Sequence, residues 1–415
     1  MSAPLSTGLT KGLVTGAVLA GLLLTAAALA PSDAPGAAST VKTSAVPSAF
    51  TVKGNGWGHG VGMSQYGAQV QASQGRSAAQ ILEHYYHPAK VSKLTGYRDR
   101  EIVVQLLRSP EATMLPESGR ARLKVGGKIV ASGTGSIGVK LRKGKVVTTF
   151  AGKTYTGNAQ IQWQNTRAWK GSAATLLNVA KADDGRGTVP LRHGVVDLKP
   201  LDGKVNVTAT MRMRDEYLNG LAEVPSSWPS QALQAQAIAA RTYSIRNLGS
   251  LKSACGCNVY DEVDSQKFTG WRKEHEGTNG VYGKRWVGAV AASNDKVVMY
   301  KSHLIDATYF SSSGGKTRSA KDVWGGDPGY LNSRDDHWSL RSAGNAWTQS
   351  VSQRQMAQAF GTKDVVSVAV TRRADLTLAK AVATTRSGKK VSLGGATFRA
   401  RLAPRSAWVR QITAS

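Results

Sequence analysis

Five glycines alternate with other residues at positions 54, 56, 58, 60 and 62, within the stretch GNGWGHGVGMSQYGA from Gly54 to Ala68. Glycine gives up more backbone freedom on ordering than any other residue and brings no side chain to a core. Strict alternation therefore marks backbone that takes positive φ or passes very close to another part of the chain. The stretch is not a nucleotide loop. The fingerprint G-x-G-x-x-G fails at the starts Gly54, Gly56 and Gly58, because His59, Val61 and Met63 stand where the third glycine belongs. The phosphate-loop pattern fails at both Gly-Lys-Thr triplets, where Val147 and Phe310 occupy the position that requires glycine.

With 415 residues, the chain has room for two or three domains or for one elaborated domain. Hydrophobic residues make up 41% and charged residues 19%, which supports a packed core and argues against wholesale disorder. Lys and Arg number 54 against 26 Asp and Glu, a net charge of +28. So positive a chain points to an anionic partner: nucleic acid, a membrane surface or an anionic wall polymer. The N-terminus narrows that choice. Gly12 to Ala30 is an Ala/Leu-rich run preceded by Lys11 and followed by small residues, the pattern of a secretory signal. Cleavage after Ala38 fits the small residues of Gly36-Ala37-Ala38. The run is also about long enough to span a bilayer, so an uncleaved membrane anchor is the alternative. Export disfavours nucleic acid, and no helix carries the dense Lys/Arg face of a DNA reader.

Beyond a Ser/Ala/Thr/Pro linker, Ile81, Leu82, Tyr85 and Tyr86 are spaced as on a helix, which Pro88 ends. From Glu101 to about Met213, short β-type runs are split by Gly, Lys and Asn turns, which reads as a β-rich region. Tyr217 to Asn247 is helical in character, with Pro229 at a first-turn position and small residues on nearly all sides. KVVMY followed by HLIDATYF reads as a hairpin, and VVSVAV, KKVSL and ATFRARL as C-terminal strands. Cys255 and Cys257 are too close for the usual zinc pair, and no H-x-x-x-H accompanies them. Two thiols and a local disulfide both fit an exported chain. Neither a metal nor a cofactor is expected.

Glu223 is flanked by Leu221, Ala222, Val224 and Pro225. A lone acid in so apolar a stretch has a raised pKa and can donate its proton near neutrality. The other reading is an acid that merely favours the start of the next helix. On that helix Gln234 and Arg241 share a face, and Arg241, among small residues, is either a structural anchor for a carboxylate or a substrate clamp. Ser311-Ser312-Ser313-Gly314-Gly315 lacks the G-x-S-x-G elbow of a serine nucleophile and reads as a turn.

Four blocks give the chain a resemblance to the SpoIID/LytB family of stage II sporulation protein D and amidase-enhancer-like proteins. They are GWGHGVGMSQYGA (Gly56–Ala68), YLNGLAEVPSSWPSQALQAQAIAARTY (Tyr217–Tyr243), DEVDSQKFTGW (Asp261–Trp271) and ATYFSSSGGKT (Ala307–Thr317). The resemblance implies a peptidoglycan lytic transglycosylase, which cleaves between N-acetylmuramic acid and N-acetylglucosamine and leaves a 1,6-anhydro end. It implies Glu223 as the catalytic acid, and Arg241, Tyr309 and the turn residues Ser312, Ser313, Gly314 and Gly315 as substrate contacts. It places His59, Ser64 and Gln65 of the glycine block in the same cleft. Gln234 stands where the family commonly has Lys, and Val224 where it commonly has Met. The glycine block precedes the other blocks here but follows them in the sporulation protein, an order that needs the chain ends close in space.

The fold class expected is α+β, a SpoIID-like catalytic domain with a β-rich inserted domain. The segments are a signal peptide at 1–38, a linker at 39–49, the glycine-block segment at 50–99, the insertion at 100–200, the catalytic core at 201–345 and a closing β-rich segment at 346–415. Only one acid lies in the best blocks, whereas ordinary glycosidases use two; Asp261, Glu262 and Asp264 are the nearest candidates for a second. The expected partners are peptidoglycan glycan strands, anionic wall polymers and a wall amidase, at a secreted or wall-associated location. The alternative is a wall-binding protein or amidase enhancer without catalysis of its own.

Overall fold

In the computed structural model, which describes residues 45–181 and 187–415, helices and strands are mixed in an α+β fold. The expected signal segment and most of the linker lie outside the described residues. Strand β1 (Ala49–Asn55) starts the described fold, and β2 (Met63–Ser64) follows the alternating glycines. The helices are α1 (Gln65–Ser73), α2 (Ala78–Tyr85), α3 (Ser230–Arg246), α4 (Trp271–Glu274), α5 (Val281–Ala292), α6 (Ala320–Trp324), α7 (Gln353–Phe360) and α8 (Gly395–Leu402). Among the described residues, no helix is long and apolar enough to cross a membrane.

The β-rich region builds two sheets. A seven-stranded sheet runs in the order Val259–Tyr260, Glu101–Ser109, Lys204–Arg212, Val195–Leu201, Ala159–Trp163, Ala121–Val125, Lys128–Gly133. A six-stranded sheet centres on Ile137–Arg142 and Glu111–Glu117. Burial alternates along Glu111–Glu117, so Ala112 and Met114 point inward with Val139, Val146, Phe150 and Val207. One apolar face per strand is the condition for two packed layers.

Helix α3 is the centre of the helical part. Its Ala, Leu, Gln and Arg residues favour helix, and Ala232, Ala235, Ala237, Ala239 and Ala240 are buried. Small side chains let α1, α2 and α5 approach closely. The helix begins after Pro229, whose carbonyl accepts the Ala232 and Leu233 N–H groups. The helical expectation from Tyr217 is therefore corrected: after a short π-turn at Met213–Tyr217, residues 222–228 are irregular. That segment holds Pro225, is followed by Pro229, and pairs instead with Lys267–Phe268: Leu221 bridges Phe268, and Ala222 N–H donates to the Lys267 carbonyl.

A second core joins β1 to the C-terminal segment. Strand β1 lies between Ala346–Ser352 and Trp408–Ala414, so Ala49 and Ser415 exchange backbone hydrogen bonds. Phe50, Val52, Met356, Phe360, Phe398 and Ile412 fill this core. Two strand expectations need correction here and upstream. ATFRARL is helical, because Phe398 and Leu402, four residues apart, fall on one face and bury, with the Phe398 ring against Phe360. Lys296–Tyr300 does pair with His303–Leu304, but Tyr309–Phe310 leaves that hairpin and pairs in parallel with β2. Cys255 and Cys257 are joined by a disulfide and buried.

Candidate active site

The glycine block and the Ser/Gly turn meet. Gly56, Gly58, Gly60 and Gly62 all take positive φ, and a Cβ on Gly62 would stand 2.0 Å from the Thr308 carbonyl oxygen. Gly54 serves the other purpose, close approach: a Cβ there would stand 2.2 Å from the Trp347 ring. Both halves of the expectation for alternating glycine are met. Trp57 and Ser312 exchange backbone hydrogen bonds, and Met63 pairs with Tyr309. His59 latches the two segments together. Its Nδ1 accepts the Val61 N–H at 3.1 Å, so its Nε2 carries the proton and donates to the Tyr309 carbonyl at 3.0 Å. Burial pushes the imidazole pKa down, consistent with this neutral form.

Glu223 sits at the centre of the next cluster. One carboxyl oxygen accepts the Lys267 N–H at 2.5 Å. Burial raises its pKa, and the Lys267 N–H, the Tyr309 hydroxyl and the Gln65 amide oppose that rise without cancelling it. Among charged groups, that of Lys267 acts on it most strongly. Gln65 also donates to the Glu223 carbonyl and to Gln236, both at 3.4 Å.

Tyr309 is aimed from behind. Gln266, fully buried, donates its amide to the Tyr309 hydroxyl at 2.9 Å. The Gln266 carbonyl is fixed in turn by the hydroxyls of Tyr217 at 3.0 Å and Ser244 at 2.7 Å. An oxygen that accepts from Gln266 has its own proton free for Glu223. Burial first, and the Glu223 charge second, hold the Tyr309 phenol well above its usual pKa, so it remains a donor. The segment after Glu223 is held as well. Lys273, buried, donates to the Val224 carbonyl at 2.6 Å and to Glu276 at 2.7 Å, while Glu276 accepts from the Ser226 hydroxyl.

A second carboxyl anchors the Ser/Gly turn. Asp336, buried, accepts from the hydroxyls of Tyr85 at 2.6 Å, Ser313 at 2.7 Å and Ser339 at 2.5 Å. Burial raises its pKa, and those three hydroxyls work against the rise. Ser64 belongs to this group: it caps α1 and bonds Ser339 at 2.7 Å.

Of the residues expected from the sequence, Glu223, Tyr309 and Gln65 come together. Ser312, Ser313, Gly314 and Gly315 hold the Tyr309 strand. Ser312 is bonded to Trp57, Ser313 to Asp336, and Gly314 lies against Trp408. Arg241 does not reach this cluster. Its fully buried guanidinium donates to the carbonyls of Val290 and Ser293, at the C-terminal end of α5, and of Lys296, which starts the next strand. Loose carbonyls at a helix end attract a cation, so Arg241 takes the anchoring role rather than the substrate clamp, and its anchor is backbone, not carboxylate. Gln234 donates to Ser230, one turn back on its own helix. Gln266, Lys267, Lys273 and Asp336 were not singled out from the sequence. The first two lie within the Asp261–Trp271 block, which was the available signal.

Residues 202–300 match the family model described as "Stage II sporulation protein", named SpoIID. The chain is 34% identical over 134 residues to the Amidase enhancer of Bacillus subtilis (strain 168), covering 32% of this chain and 16% of that protein. It is 30% identical over 190 residues to the Stage II sporulation protein D of the same organism, covering 42% and 55%. With that of Bacillus amyloliquefaciens it shares 29% over 205 residues, covering 46% and 58%. The chain thus spans between a sixth and three-fifths of the length of these relatives. The matched stretch contains Glu223, α3, Gln266 and Lys273, and over it the chain is similar to the SpoIID family.

Proposed function

We propose that this chain is an extracytoplasmic lytic transglycosylase that cleaves the glycan strands of peptidoglycan. The observation that carries the reading is the Glu223 carboxyl, with a raised pKa, one oxygen on the Lys267 N–H and a tyrosine donor oriented toward it. A protonated carboxyl so placed can give its proton to the glycosidic oxygen as the bond to the anomeric carbon breaks. The Lys267 N–H and Tyr309 hydroxyl then stabilise the carboxylate that forms. That carboxylate takes the proton of the sugar's own 6-hydroxyl, whose oxygen closes on the anomeric carbon. The proton returns to Glu223, no water is consumed, and the product is a 1,6-anhydro end. In this reading the β-rich region at 100–200 is an insertion in the catalytic domain, and the positive surface holds the enzyme on anionic wall polymer.

Two names among the relatives, the sporulation protein and the amidase enhancer, support a cell-wall role. The amidase-enhancer relative also favours a second reading, a wall-bound protein that assists an amidase without cleaving glycan itself. Turbidity of purified sacculi separates the two. The isolated protein clears them under the first reading and leaves them turbid under the second.

A further inference from the structure

Away from Glu223, three adjoining concavities of ≈ 480, ≈ 580 and ≈ 640 Å³ run along the C-terminal core. The first and second share Gln349 and Ala403 and form one groove, and the third adjoins the second across the exposed Gln358 of α7. Trp57, 56% exposed, opens it, and the Arg405 guanidinium lies 4.7 Å from the indole ring centroid. Arg401, Arg354 and Lys363 follow along the groove, and no carboxylate stands among its described lining residues. Residues 346–415 as a whole carry 12 Lys and Arg against 2 Asp. Between the cations stand groups that hydrogen-bond in both directions: the Thr348 hydroxyl and the Gln358 amide make no protein hydrogen bond among the described residues.

We propose that this groove binds an acidic polysaccharide chain. An exposed indole gives a flat apolar face for a sugar ring. Amides and hydroxyls along the wall suit sugar hydroxyls, and a row of cations with no opposing carboxylate suits repeated negative charge. A single indole followed by polar residues is less suited to nucleic acid, which stacks successive bases on successive aromatic rings. The groove is separate from the Glu223 cluster but tied to it through the backbone. Trp57 bonds Ser312, three residues beyond Tyr309. The site therefore adds a second carbohydrate-binding surface beside the proposed catalytic one, and it does not depend on cleavage.

Binding of the full exported chain to polygalacturonate, with dextran and poly(dT) as comparison probes, tests this. The expected result is binding of polygalacturonate over both others. Trp57→Ala should weaken it about tenfold, and Arg354→Ser with Arg405→Ser by a similar factor. Glu223→Gln should leave it unchanged, so failure of the catalytic reading does not touch this one. A charge control, Lys140→Thr with Lys145→Thr on the far β-sheet, should bind as the parent does. If that control loses as much affinity as the groove pair, only net charge is acting and the proposal fails. It also fails if Trp57→Ala binds normally, or if poly(dT) binds as tightly with the same dependence on Trp57. Arg354, Arg405 and Trp57 are exposed, and quenching of tryptophan emission on titrating the parent protein gives a second measure that needs no variant.

Discussion

At the residue scale, the proposed chemistry rests on one carboxyl whose pKa burial raises and one phenol held in place by Gln266. Removing the Tyr309 hydroxyl takes away a bond that favours the charged form of Glu223. Tyr309→Phe should therefore raise the Glu223 pKa further and move the alkaline limb of the cleavage rate to higher pH. An unshifted limb would mean that the hydroxyl does not act on the carboxyl. The sign for stability is the same: the folded state holds this proton more tightly than the unfolded chain, so the contribution is full below the unfolded value and lost as pH rises through the folded one. His59 runs the other way. Its folded pKa is depressed, so its contribution is present above 6.5 and lost as pH falls through the folded value. Amide exchange at Val61 should quicken over that fall, and constant protection would contradict the His59 latch. Glu223 was legible in the sequence because its apolar neighbours are adjacent in the chain. Gln266 and Asp336 were not, because their partners come from segments far apart, and spacing carries no trace of a bond between Gln266 and Tyr309.

At the element scale, α3 explains how a helix of alanines can be the centre of a molecule. Its neighbours sit against backbone, so an added side chain has no room. Ala239→Leu should cost about 1–3 kcal/mol through overpacking, read as a lower denaturant midpoint with an unchanged slope. A neutral result would mean that the helix packs loosely. The sequence announced this helix through composition and Pro229, but it also suggested helix across residues 218–228. Pairing with Lys267–Phe268 wins there, and that is what turns Glu223 toward the Lys267 N–H. ATFRARL misled in the opposite sense: alternation predicts a strand, yet the i, i+4 pair of Phe398 and Leu402 finds the core only as a helix.

At the scale of the whole molecule, the distinctive feature is that the two ends of the described chain share a sheet. The glycine block enters beside the Ser/Gly turn because β1 is held by Trp408–Ala414, and Trp408 packs over Gly56, Gly60 and Gly314 at once. The alternating glycines foretold such close approach but not the residue that approaches. Trp408→Ala should cost about 3–5 kcal/mol and, at temperatures where the fold survives, loosen the glycine block as seen by proteolysis near Gly58. Equal protease resistance would separate the two features. The central claim is tested most directly by mass spectrometry of the products from defined peptidoglycan glycan strands, with the parent protein and with Glu223→Gln. The expected result is fragments ending in 1,6-anhydro-N-acetylmuramic acid, lighter by one water than hydrolytic products, and almost none from Glu223→Gln. Fragments with ordinary reducing ends, or undiminished cleavage by the variant, would contradict the single-acid mechanism.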